Sequence, residues 1–459
     1  MKRLAVLGGC AIVAVALGTA IAAALSKKSD GDRLTPASLI AESSSVPSFF
    51  AREQASLVQI GISPKRALKA LTVQSELAQT GLAHTIEAHL GSAFAGIWFE
   101  PATAKLHIGV TSPASRHTVQ ELAARARLAD DVVVTTVRST WPQLVAAQEQ
   151  WNGRLARLLA RAEAETALAP QKNAVLVKLG LSVAPPELAV LKRDASAADV
   201  NVALALVPKG ELTITPLGTP AECSAFVTGL ANCNPTITAG VTIEGPRLVC
   251  TAGPLATPRA TKSETYLLTA GHCTEGGGVG SKFYAYSKSG TKEEIGPIAE
   301  IVWNTKADVS AIKVNNPGFW VTGNSKDPVY AGVAEWTKVA QSAFPVEGLR
   351  EPMVGANTCH EGSTTGQLCG IIRALNVGDG GRARSGLVEV EVPGAETLGG
   401  DSGGPWMFIQ PNRSVLMEGT EVGGAASLAS NSAYEPVGTS FAELKGLNLD
   451  LLTKGNEVR

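Results

Sequence analysis

The sequence predicts a chain in two folded parts, an α+β segment followed by an all-β sandwich or barrel that finishes with one helix. Three observations predict this. After Glu211, helical periodicity gives way to short β-branched and Leu-rich runs broken by Gly, Pro, Asn and Ser, the pattern of many closely spaced strands. Six of the seven cysteines lie beyond residue 213, and none lies between 26 and 213. The two parts also differ in charge: residues 1–213 hold 22 Lys and Arg against 17 Asp and Glu, whereas residues 214–459 hold 18 against 24. Opposite signs suit two surfaces that dock on each other, although drift in composition gives the same numbers. The whole chain, at 459 residues and net charge −1, has room for two or three domains and is not a strongly basic nucleic-acid binder.

Residues 1–25 read as a signal peptide. Lys2 and Arg3 precede an uncharged run from Leu4 to Leu25, small residues around Thr19–Ala24 offer a cleavage site, and Lys27, Lys28 and Asp30 close the run. The same run is long enough to span a bilayer, so an uncleaved membrane anchor is the alternative. Leu7-Gly8-Gly9-Cys10 resembles a lipoprotein processing site, but the apolar run continues well past Cys10. Residues 26–50, rich in Ser, Ala and Pro, read as a linker. Residues 51–213 form the α+β segment. Gly96–Glu100 and Lys105–Thr111 alternate around Pro101-Ala102-Thr103-Ala104 as a hairpin, and His117–Ala129 has helical spacing. Thr140, Pro142 and Gln143 open a long helix expected to run to about Ala167, its Trp151 and Leu stripe facing a core. Strands are expected near Asn173–Leu179 and Val200–Val207. The boundary falls in Thr215–Pro220, and residues 214–459 form the β segment. Its strands are expected at Tyr266–Ala270, Ile295–Trp303, Ala307–Val314, Gly370–Val377, Gly386–Val392 and Val415–Val422, with a helix from Phe441 to Leu452.

Two motifs in the β segment carry chemistry. Thr269-Ala270-Gly271-His272-Cys273 follows a strand, and Gly400-Asp401-Ser402-Gly403-Gly404-Pro405 sits between a Gly-rich turn and a strand. Attack on a peptide carbonyl needs a nucleophile, a base within reach, and donors aimed at the developing oxyanion. A serine framed by glycines allows a sharp turn that presents the Gly400 and Ser402 N–H groups to one point. The unperturbed pKa of a histidine lies near neutral pH, which suits His272 to taking the serine proton. The third member must be a buried acid, and residues 214–459 contain five aspartates: Asp308, Asp327, Asp379, Asp401 and Asp450. Only Asp308 opens an apolar strand, where an acid has no solubility role. The order His272, Asp308, Ser402 is that of chymotrypsin-type barrels, not of subtilisin or α/β-hydrolase folds. Six cysteines in an exported chain read as disulfides. None forms a CxxC pair, so neither a metal nor another cofactor is expected.

At these residues the β segment resembles the bacterial chymotrypsin-fold serine proteases of the streptogrisin and α-lytic protease group. TAGHC, ADVSAIKV and GDSGGP are similar to its three catalytic segments, and Cys359–Cys369, around a Gly-Ser-Thr-Thr-Gly turn, to its two-cysteine hairpin. GIWFEPATAKLHIGVTS resembles the hairpin of the group's propeptides, which fold the protease and then inhibit it. The resemblance implies an all-β double β-barrel with a C-terminal helix, preceded by an α+β pro-domain that acts as intramolecular chaperone and inhibitor. It implies a secreted endopeptidase acting on protein or peptide substrates, with a membrane partner only if the N-terminal run stays uncleaved. The alternative is a membrane-tethered binding or regulatory protein that has kept the protease fold. The pairs Cys250–Cys273 and Cys359–Cys369 follow from the resemblance, and Cys223–Cys233 from proximity in sequence.

The sequence departs from the group in three places. No cysteine pair brackets the nucleophile loop, and the segment where relatives often carry a serine supporting the catalytic aspartate reads Glu421-Val422-Gly423-Gly424. Glu396 and Glu421 near the substrate cleft read as solvated charges. Where the group places an arginine after the first hairpin cysteine to pair with the buried aspartate preceding the nucleophile, this chain has His360. It is expected to be protonated beside Asp401, with Arg350 or Arg373 as alternative partners and an ordinary surface histidine as the plainer reading.

Overall fold

The computed structural model describes residues 51–159, 164–207, 237–261, 263–286, 292–315, 332–336, 341–379, 384–424 and 432–453. The signal or anchor run, the linker, Cys10, the Cys223–Cys233 pair and the expected domain boundary fall outside the described residues.

Residues 51–207 build two small α+β layers. Helices α1 (Ala51–Gln59), α2 (Pro64–Thr80) and α3 (Leu82–Leu90) lead into strands β1 (Phe94–Glu100) and β2 (Lys105–Val110), the expected hairpin. In α2, Pro64 occupies the first turn, where a missing N–H costs nothing. Ala67, Ala70, Leu71 and Leu77 recur at helical spacing and are buried. The helix stops at Gly81, whose left-handed φ of 60° lets its N–H reach the Leu77 carbonyl. Helix α4 (Pro113–Arg125) crosses over to β3 (Val132–Thr136), which lies parallel to β2. It starts before the expected His117 because Ser112 caps it and Pro113 fits its first turn.

Helix α5 (Trp141–Leu158) begins at the expected capping box, in which Thr140 Oγ1 accepts the Gln143 N–H and Gln143 Oε1 accepts the Thr140 N–H. It ends well before Ala167, since residues 164–169 are the strand β4 (Ala164–Ala169). The Ala- and Glu-rich composition there favours helix, but pairing on both edges overrides it. Strand β4 pairs with β5 (Ala174–Gly180), and helix α6 (Pro185–Ser196) returns the chain to β6 (Asn201–Val207), parallel to β5. Trp151 and Leu155 of α5 pack with Val175, Val177 and Leu191 in one core, as their stripe predicts.

The remaining residues form two curved sheets. The first contains β7 (Thr242–Glu244), β8 (Val249–Thr251), β9 (Leu255–Pro258), β10 (Tyr266–Thr269), β11 (Lys282–Tyr286), β12 (Lys292–Trp303) and β13 (Asp308–Lys313). They run in the order β9-β10-β13-β12-β11-β7-β8, a curled half-barrel around Ile243, Phe283, Ile295, Ile298 and Ile312. The second contains β14 (Gly332–Trp336), β15 (Gln341–Leu349), β16 (Asn357–Gly362), β17 (Gly366–Asp379), β18 (Arg384–Glu391), β19 (Pro405–Ile409), β20 (Val415–Gly424) and β21 (Ser432–Pro436). Pairing runs β16-β17-β18-β21-β20-β19 and back to β16, which closes a six-stranded barrel around Ile372, Val388, Val390, Trp406 and Tyr434. The fold is thus a double β-barrel preceded by an α+β segment.

The terminal helix is shorter than expected. It is α7 (Val437–Glu443), and Leu449–Leu451 is instead a strand, β22, that extends the first sheet by pairing with β9. Leu449 and Leu451 alternate with half-buried Asp450, a two-residue period that a short amphipathic run shares with a helix.

The N-terminal segment docks on the second barrel. Strand β4 adds to the edge of β17 through Leu168 and Leu375. Gln148 and Asn376 exchange two hydrogen bonds of 2.6 Å, and the Phe99 N–H donates to the Val354 carbonyl at 2.8 Å. Asn357 donates its main-chain N–H to Gln74 and its amide to Ser56. At the centre of this contact Lys178 is buried between Glu165 and Glu389.

Candidate active site

His272 lies on the 3-10 turn Gly271–Thr274 that follows β10, a wall strand of the half-barrel. The turn passes close to β12 and β13, and only glycine fits at 271, because a Cβ there would lie 2.8 Å from the Val302 carbonyl. Asp308 is the first residue of β13 and is fully buried. Its two oxygens both face His272: Oδ1 accepts the His272 main-chain N–H at 2.8 Å, and Oδ2 lies 3.0 Å from Nδ1. This double hold fixes the ring orientation and leaves Nε2 as the free-edge nitrogen. The Asp308 N–H in turn donates to Glu435 Oε2 on β21, at 2.8 Å.

Ser402 comes from the loop before β19 in the second barrel. Its carbonyl accepts the Thr251 N–H at 2.8 Å and lies 3.8 Å from Cys273 Sγ, which brings the serine loop against the histidine turn. Among the described residues no hydrogen bond joins Ser402 Oγ to His272. The loop is glycine-framed for a steric reason: a Cβ on Gly403 would come within 2.0 Å of Thr269 Oγ1. The Gly400 carbonyl is anchored by the hydroxyls of Thr251 (2.7 Å) and Ser363 (3.0 Å). Neither the Gly400 nor the Ser402 N–H has an acceptor among the described residues. Cys250 is bonded to Cys273, and Cys359 to Cys369. Cys250, His272 and Cys273 approach one another closely enough to hold a metal, but two of the three are consumed by the disulfide.

His360 departs from the expectation. It is fully buried, its ring is 5.1 Å from that of Trp406, and burial pushes its pKa down to about 4 despite the opposing pull of Asp401 and the Pro405 carbonyl. A neutral imidazole supplies no charge to Asp401. Arg350 is engaged with Glu418 and the Asn357 carbonyl, and Arg373 with Glu391. Asp401 is instead held by uncharged donors. Its Oδ1 accepts the Thr364 and Thr365 N–H groups at 2.9 and 3.1 Å. Its Oδ2 accepts the Thr365 hydroxyl and the Leu398 N–H at 2.7 and 2.9 Å. The signal for this was present in the Ser-Thr-Thr turn between the hairpin cysteines, a row of small donors.

Glu421 is a second correction. It is buried, not solvated, and accepts bonds from the Thr397 hydroxyl (2.9 Å), Trp406 Nε1 (2.6 Å) and the Gly423 N–H (3.1 Å). Burial outweighs these donors and pushes its pKa up to about 8. Its main chain bonds to Gly403 and Gly404, so a carboxylic acid sits directly behind the serine loop. Glu396 is half-exposed, as a solvated charge would be. The sequence reading missed Glu435, whose buried position inside Ser432–Pro436 follows from sheet register alone.

The described residues form a double barrel of the chymotrypsin-like fold, with the His272 turn, Asp308 and the glycine-framed Ser402 loop beside one another. Residues 69–129 match the family described as alpha-lytic protease pro N-terminal. Similar solved structures include Thermobifida fusca protease A (22% identity, 48% of this chain and 99% of that one, TM-score 0.34). Others are Nocardiopsis protease (22%, 48% and 100%, 0.33) and Cellulomonas bogoriensis chymotrypsin (21%, 48% and 100%, 0.33). The pro-segment match, on the helices and hairpin that precede the double barrel, supports the streptogrisin and α-lytic protease group with its propeptide.

Proposed function

We propose that the chain is a secreted serine endopeptidase made as a precursor that cleaves itself. His272 Nε2 takes the proton of Ser402 Oγ as that oxygen attacks the scissile carbonyl. Asp308 holds the ring by its Nδ1–H and stabilises the imidazolium that forms. The Gly400 and Ser402 N–H groups receive the oxyanion. The imidazolium then protonates the leaving amine, and water, deprotonated by the same nitrogen, releases the acyl group from Ser402. Residues 51–213 act as the chaperone and inhibitor of the segment 214–459. Cys223 and Cys233 form the third disulfide.

The observation that carries this reading is the two-point hold of Asp308 on His272, at 2.8 and 3.0 Å, beside a serine loop whose Gly400 and Ser402 N–H groups have no acceptor among the described residues. A merely structural histidine needs no such orientation. The test is Ser402→Ala in the full chain. The wild type should mature by cleavage between the two segments and hydrolyse fluorescein-labelled casein. The variant should stay full length and lose activity by a factor on the order of 10⁶. Normal maturation of purified Ser402→Ala protein would overturn self-cleavage.

A further inference from the structure

The acid at the foot of the site is itself held by a second acid. Asp308 lies on the half-barrel, whereas Glu435 lies on β21 of the closed barrel, 127 residues further along the chain, and both are at most 1% exposed. Both Asp308 oxygens reach His272, and its backbone N–H is a further anchor point. The backbone N–H is buried at the first residue of β13, where a donor left without an acceptor is destabilising. Its acceptor is Glu435 Oε2 at 2.8 Å. The other oxygen, Oε1, accepts the Ser440 hydroxyl of α7 at 3.3 Å, and Ser440 is fully buried. A connected series therefore runs from Ser440 through Glu435 and Asp308 to His272.

We infer that Glu435 is a positioning residue for the reaction: it fixes the main chain of Asp308, and through it His272, against the closed barrel that carries Ser402. The inference rests on the serine-protease reading above. The hold comes from β21, the strand paired with β20, where the sequence departs from the group at Glu421-Val422-Gly423. Burying a carboxylate is costly, and an apolar residue at 435 would leave the Asp308 N–H without its acceptor.

The experiment compares wild type, Glu435→Ala, Glu435→Gln and Ser440→Ala, each expressed as the full chain and matured. A fluorophosphonate titration counts folded active sites, and casein hydrolysis gives kcat and KM per site. Displacement of the histidine by about 1 Å costs about 10²-fold in rate. Glu435→Ala should therefore lower kcat by about 10- to 100-fold with KM within about threefold. Glu435→Gln retains an accepting oxygen toward the Asp308 N–H, and the Ser440 hydroxyl can turn to accept its amide. It should recover kcat to within about fivefold of wild type. If Glu435→Ala yields no titratable sites, the comparison passes to Ser440→Ala, for which a severalfold fall in kcat is expected. Equal kcat in wild type and Glu435→Ala overturns the inference, as does a Gln variant as slow as the Ala variant, or an unchanged Ser440→Ala where that comparison decides. A wild type that is itself neither titrated nor active overturns the protease reading, so the two failures are distinguishable.

Discussion

Replacing Lys178 by Met tests how the N-terminal segment is held on the barrel. Lys178 Nζ lies 2.6 Å from both oxygens of Glu389 and 3.1 Å from Glu165 Oε1, with side chains 9%, 3% and 2% exposed respectively. Burial pulls the ammonium down, but the two carboxylates outweigh it and its pKa sits above the ordinary lysine value. The charge is therefore fully present at all pH values below that of a free lysine and is lost only as pH rises through the raised folded value. Lys178 and Glu165 belong to the N-terminal segment and Glu389 to the barrel, so only the second pair forms on docking. Lys178→Met leaves Glu389 buried without this cation, at about 3–5 kcal/mol, equivalent to about 10²- to 4 × 10³-fold in affinity. The assay is inhibition of mature enzyme by added residues 51–213, wild type against Lys178→Met, on labelled casein. Glu389→Leu leaves Lys178 paired with Glu165 and should weaken inhibition less, and the loss in the double variant should be smaller than the sum of the two single losses. An inhibition constant within threefold of wild type for Lys178→Met would refute the buried pair as the clamp.

Two other expectations concern stability and covalent structure. His360, depressed to about 4, contributes stability that is present above the ordinary histidine pKa and lost as pH falls toward 4. Glu421, raised to about 8, contributes stability that is present below the ordinary carboxylate pKa and lost as pH rises toward 8. The two oppose each other between about pH 4.5 and 6.5, and above 6.5 the glutamate alone acts, removing about 2 kcal/mol by pH 8. Chemical denaturation of the Ser402→Ala precursor across that range should show the alkaline fall, and adding Glu421→Gln should abolish it; an unchanged fall in the double variant would exclude Glu421 as its source. Non-reducing peptide mapping should recover Cys250–Cys273, Cys359–Cys369 and Cys223–Cys233, and removal of the Cys359–Cys369 bridge should cost about 2–4 kcal/mol; a crossed pair would refute the assignment.

The elements most legible in the sequence were those whose local chemistry agrees with their tertiary setting. Thr140 and Gln143 specify a helix start that no later contact opposes, and the alternation from Gly96 to Thr111 specifies a hairpin whose faces are unequal. Where long-range pairing decides, composition misled. Residues 164–169 continue a helical composition yet are recruited as a strand by β5 and β17, and Leu449–Leu451 is drawn onto β9. At the site, two motifs pointed to His272 and Ser402 and the start of an apolar strand to Asp308, and the fold brings Asp308 onto His272. Partners that depend on register across separate strands left no such trace. Glu435 reaches Asp308 from another barrel, and Glu421 and His360 take their protonation states from burial that no local pattern reports.

The central claim is that Ser402 is a nucleophile activated by His272, and a serine-directed fluorophosphonate tests it most directly. Mature wild-type protein, treated with the probe and digested, should carry one adduct, on Ser402 in the peptide containing Gly400-Asp401-Ser402-Gly403. His272→Ala should slow labelling by several orders of magnitude at unchanged fold, in keeping with the loss of a general base. Failure to label Ser402 in folded mature protein, or labelling that is indifferent to His272, would contradict the account.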